Sequence, residues 1–135
     1  MARNILGIVA GLLVWMVVTT IAGLILRATW PEYVRVADAM LFTLPMQITR
    51  LAIGAIATVV TGVVAAKLAR AAVAQLLPGL LLLLFFIPVH VSIWHKFPVW
   101  YHLTFLLSLV PLTYAGNRLG EAAHQRSTSL TKLAT

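Results

Sequence analysis

The chain contains no cysteine, and only three of its 135 residues are acidic: Glu32, Asp38 and Glu121. The first absence excludes disulfides, thiolate nucleophiles and cysteine-ligated metal sites. The second removes the paired carboxylates on which general acid–base hydrolysis and most divalent-cation sites depend. No acid falls inside a long apolar run, and the sequence holds no GxSxG, no Gly-rich phosphate loop, and no HxxxH or HExxH spacing. Ser92, Thr104 and Ser108 read as hydroxyls that bond neighbouring helices or backbone. An enzyme is therefore not expected, nor a cofactor.

Charge of either sign is scarce, at 10% of residues against 61% hydrophobic, and the mean hydropathy is +1.00. A soluble domain runs nearer half apolar and a quarter charged, so the natural solvent of this chain is the bilayer. The net charge of +7 comes from Lys and Arg placed between and beside apolar segments. That placement points to orientation in a membrane and away from nucleic acid. The partners expected are membrane lipids and either further copies of the chain or a larger membrane complex.

Apolar periodicity and turn signals predict an all-α membrane protein with four transmembrane helices in an antiparallel bundle. The spans fall at about 5–26, 44–69, 72–94 and 98–117, within one domain over residues 1–119. Ile5–Leu26 is uncharged and too long for a signal-peptide core, so it reads as a retained first crossing. Between the first two spans, Thr29 and Glu32 have capping-box spacing and Pro31 sits in the first turn. Trp30, Tyr33, Val34, Val36, Ala37, Met40 and Leu41 then share one arc, opposite Glu32, Arg35 and Asp38. This predicts a short interfacial amphipathic helix over about 30–41. Residues 120–135 are polar and read as a flexible tail.

Helix contact is expected along two small-residue faces. Gly7 and Gly11 form a GxxxG in the first span, and Gly54, Thr58, Gly62 and Ala66 recur every four residues in the second. Arg50 begins the same stripe, either reaching to the interface or facing the bundle. Trp30, Tyr33, Trp94, Trp100 and Tyr101 read as interfacial anchors. Arg3, Lys67, Arg70, Arg118, Arg126 and Lys132 share one side of the membrane. Arg27, Arg35, Arg50 and Lys96 share the other. Six basic residues against four predict cytoplasmic termini in a multi-pass protein of a bacterial inner membrane.

The polar groups concentrate in Pro88–His102, PVHVSIWHKFPVWYH, which holds three of the four histidines. With the turn at Lys96, His90 and His102 lie six residues to either side and share a depth on adjacent helices. His95 points about 140° away from His90 on the helical wheel. The candidate pathway or ligand site is thus Arg50, His90 and His102, with Asp38 or Glu32 from the interfacial helix. Two imidazoles alone are a weak metal site, and tightly packed adjacent helices leave little room for a haem between them. The leading expectation is a non-catalytic interaction or accessory subunit that packs in the bilayer. The alternatives are a small oligomeric channel or transporter with an outer-side Arg/His pathway and, behind it, a metal- or haem-binding protein.

Overall fold

The structure, a computed structural model, describes the backbone of residues 1–133 and the side chains of residues 1–129. All regular structure among the described residues is helical: α1 (Ala2–Thr29), α2 (Pro31–Ala37), α3 (Leu44–Leu68), α4 (Ala72–Ser92), a 3-10 turn (Trp94–Lys96) and α5 (Val99–Leu133). Three of these, α1, α3 and α4, are long and apolar enough to cross a membrane. Their outward faces agree with that solvent. Leu13, Met16, Val17, Leu24, Leu84 and Phe85 are each more than half exposed, an arrangement that water would disfavour and acyl chains accept.

Successive long helices alternate in direction, so α3 and α5 run parallel and lie side by side from end to end. Arg50 meets Tyr101 at one end, and Ala66 approaches Gly120 at the other. Small residues permit this closeness. A methyl group built on Gly62 would lie 2.9 Å from the backbone nitrogen of Asn117 and from the Cα of Gly116. On the other flank, Gly7 lies against Ala69, and Gly11 against Pro78 and Thr61. The glycines of both small-residue faces are thus consumed in packing this chain against itself.

Without the hydrophobic effect to drive helices together in lipid, close van der Waals contact and buried hydroxyls carry the association. Thr58 and Thr113 each return their hydroxyl to the carbonyl four residues back, at 2.7 and 2.8 Å. Thr61 instead reaches the carbonyl of Gly11 on α1, at 3.1 Å. Asn117, with its amide nitrogen turned toward the carbonyls, donates to Gly62 (2.8 Å) and Thr113 (3.3 Å).

Three local expectations change. The Thr29–Glu32 capping box does not form, because α1 runs on to Thr29 and uses that hydroxyl for the carbonyl of Ile25. Trp30 becomes the one residue between α1 and α2, which begins at Pro31. The helix α2 also ends at Ala37, short of residue 41, in a turn whose Met40 takes a left-handed φ of 57°. Finally, α5 continues to Leu133, well past the expected end near Asn117. After Gly120 the sequence has neither proline nor glycine to stop it, and Thr128 and Ser129 bond back to the preceding turn.

Two glycines bracket the packing energetics. Gly62→Leu is expected to destabilise the bundle by about 3 kcal/mol or more, since neither facing backbone can move aside. Gly23 has nothing within 4 Å of an added Cβ, so Gly23→Ala should raise stability by roughly 0.5–1 kcal/mol through backbone entropy. Reversible unfolding in mild detergent measures both; equal effects at the two positions would contradict the assigned contacts.

Candidate functional site

Arg50 lies six residues into α3, about 9 Å along the helix from its start. A cation on a membrane-crossing helix costs about 2.5–3.5 kcal/mol at mid-bilayer and less toward the surface. The fold meets that cost by turning the guanidinium inward. Arg50 Nη1 donates to the Tyr33 hydroxyl at 2.6 Å, Nε donates to the Tyr101 hydroxyl at 3.4 Å, and the charge sits 4.7 Å from the centre of the Phe42 ring. Cation–π contact of this kind contributes about 0.5–2 kcal/mol.

The two phenols come from opposite ends of the sequence for a definite local reason. Trp30 and Pro31 fold α2 back over the end of the bundle, which buries Tyr33. The left-handed turn at Met40 then returns the chain to α3. Tyr33, Phe42, Met46, Phe97 and Tyr101 form one buried cluster there, with Trp30, Val36 and Ala37 packed on its flank. Tyr33 and Tyr101, expected as interfacial anchors, are only 4% and 5% exposed and instead coordinate the cation. Trp94 and Trp100 are each about two-fifths exposed.

Neither phenol neutralises the charge. Glu32 and Asp38 are both exposed on α2 and its following turn, and the ion pair found among the described residues joins Arg118 and Glu121. The two acids weighed as partners for Arg50 are thus not brought to it. The remaining guanidinium N–H groups have no protein acceptor among the described residues.

His90 on α4 and His102 on α5 are both buried, and their Nδ1 atoms lie 2.8 Å apart. His102 Nε2 is 3.3 Å from the carbonyl oxygen of Trp94, and its ring stacks on the Trp94 indole at 4.6 Å. These contacts determine the tautomers. A carbonyl only accepts, so His102 carries its proton on Nε2 and accepts at Nδ1; His90 must then donate from Nδ1. The lone pair left on His90 Nε2 has no protein partner, yet no buried side-chain nitrogen or oxygen among the described residues is unsatisfied. That atom therefore keeps some accessible surface, and His90 is one of the residues that line the adjoining cavity. His95, by contrast, is exposed at the turn.

That cavity measures about 200 Å³. Its polar end holds Arg50, Tyr33, Tyr101 and His90, and its apolar body holds Trp15, Phe86 and Phe105 among others. For comparison, an engineered apolar cavity of about 150 Å³ accepts benzene. A small ring or short chain with one polar head fits the space. The two imidazoles are joined to each other, leaving no gap for a porphyrin between them, and no group of three metal-ligating side chains occurs among the described residues.

Comparison of the chain with protein-family models, with curated proteins and with solved structures finds no match. The chemistry of the site rests on its own residues. Reasoning from the sequence reached Arg50, His90 and His102 but missed the aromatic walls. Trp15 offered the one available signal, an indole far from either interface. It donates to the Thr58 hydroxyl at 3.1 Å and packs on Phe86 at 5.1 Å.

Two measurements check the network. Nitrogen-15 NMR of labelled histidine in bilayers should find His90 as the Nδ1–H tautomer and His102 as the Nε2–H tautomer; the reverse pattern would overturn the assigned relay. Tyr33→Phe should destabilise the fold by about 1–3 kcal/mol, because a charged donor loses its acceptor. The same change on an Arg50→Gln background should cost much less.

Proposed function

We propose that this chain is a four-crossing, non-catalytic membrane protein that holds a small organic acid in the cavity between Arg50 and His90. The observation that carries this reading is the Arg50 guanidinium, which lines a cavity inside the bundle with two neutral phenols and no carboxylate beside it. A half-buried cation without a counterion attracts an anion, and its partial removal from water strengthens that attraction. The free lone pair of His90 adds a second requirement. A carboxylate facing both groups is best satisfied when one oxygen accepts from Arg50 and a proton lies between the other oxygen and His90 Nε2. Transport of the acid through an oligomer is the natural extension, with the aromatic cap of α2 over the outer end.

The fourth crossing is α5. It lies in register with α3 from Tyr101 to Gly120, and α3 is itself long enough to span, so the two share the same depth. The count of six basic residues against four supports cytoplasmic termini. An accessory role in a larger complex is the second reading. It has lost the feature that first suggested it, because the small-residue faces of α1 and α3 are occupied within the chain. Assembly with itself or a partner would use outward apolar faces such as those of α1, α4 and α5, and substitutions at Gly54 or Gly62 would report folding instead.

Benzoate is a suitable first probe. It should raise the unfolding temperature of the detergent-solubilised protein, and the effect should strengthen as the pH falls from about 8 to about 6, because the complex holds a proton that the empty site does not. Binding carries a proton with the anion, so lower pH favours the complex. Arg50→Gln should abolish the stabilisation. An equal response in that variant, or none in the wild type at any pH, would refute the reading.

A further inference from the structure

A second, larger and more apolar cavity, about 550 Å³, lies along the seam between α1 and α4. Leu12, Met16 and Thr20 of α1 and Leu81, Leu82 and Phe85 of α4 belong to this groove alone. Trp15, Thr19 and Phe86 line both it and the polar cavity, so the two spaces adjoin at these side chains. Only α1 and α4 line the groove, and Met16, Thr20, Leu81 and Phe85 are exposed on its rim, where the solvent is acyl chain. The levels also differ. Thr58, which bonds Trp15, lies eight residues beyond Arg50 on α3, about 12 Å deeper into the bundle.

From this arrangement we infer that the ligand is a single-chain fatty carboxylic acid, taken sideways from the bilayer, with its head at Arg50 and its chain in the α1–α4 groove. The inference rests on the proposed acid site and names its substrate class. Charge complementarity at the inner end selects the head. The orientation follows from the depths, since an amphiphile of the outer leaflet already carries its head near the surface and its chain toward the midplane. The small polar cavity selects against bulkier heads, because a space little larger than a benzene site holds a carboxyl group and its first methylenes but not a phosphoglycerol. Trp15 and Phe86 pack on each other with ring centroids 5.1 Å apart, so the chain leaves the cavity beside that pair, past Thr19.

The test is quenching of tryptophan fluorescence in lipid nanodiscs by 9,10-dibromostearate, whose bromines fall near the level of Trp15 when the carboxylate is at Arg50. In the unsubstituted protein, quenching should saturate at low mole fraction. The saturable part should be missing in Trp15→Phe and in Arg50→Gln, and should need at least fivefold more probe in Thr20→Phe, which narrows the groove at its lipid-facing rim. Thr20→Phe should leave benzoate affinity within twofold. Arg50-dependent benzoate binding with dibromostearate quenching that only tracks bulk mole fraction would overturn the lateral route while leaving the acid site intact. Saturable quenching that survives Arg50→Gln would mark ordinary acyl-chain packing and would also overturn it. If neither probe binds, the acid site and the inference fall together. Saturable quenching by an equally brominated phosphatidylglycerol with the same Arg50 dependence would overturn the single-chain assignment.

Discussion

One cation organises the upper half of this molecule. Arg50 cannot face lipid cheaply, and the chain supplies no acid near enough to neutralise it, so the fold surrounds it with two phenols and an aromatic face. The same packing folds α2 back over the end of the bundle, where Tyr33 is buried among the aromatic residues. The loop after α2 takes a left-handed methionine and brings Phe42 and α3 into place. The unneutralised charge that results is the property from which the proposed binding function follows.

The lower half solves a different problem. There α3 and α5 approach until backbone meets backbone, and glycine and threonine are the residues that allow it. Close packing at this end and an aromatic, looser arrangement at the other leave free volume where Arg50 and His90 sit. The cavity and the groove are products of that contrast. Large side chains such as Trp15, Phe86 and Phe105 hold the helices apart at the level where the small residues of α3 give way to Arg50 and Ile53.

Much of this was legible in composition and periodicity. The apolar runs marked α1, α3 and α4, and equal spacing about Lys96 placed His90 and His102 at one depth. What could not be read were directions. Helical periodicity left Arg50 equally able to reach outward or inward, because the choice depends on Tyr33 and Tyr101, which are seventeen and fifty-one residues away in sequence. The same long-range packing turned those tyrosines from surface anchors into buried partners. The glycine stripe was recognisable as a contact face, but a stripe says nothing of whether its partner is the same chain. The end of α5 was misjudged for a simpler reason: polarity after Asn117 suggested a tail, yet polar residues with good helix propensity continue a helix readily.

The central claim is that an acid head occupies the space beside the Arg50 guanidinium. Solid-state NMR in bilayers measures this directly, through dipolar coupling between carboxyl-labelled ¹³C-palmitate and the ¹⁵N-labelled guanidinium of Arg50. A coupling that corresponds to hydrogen-bonding distance is the predicted result, and it should vanish on adding excess unlabelled palmitate. A guanidinium that couples only to the Tyr33 and Tyr101 side chains, with the palmitate carbon at no defined distance, would contradict it.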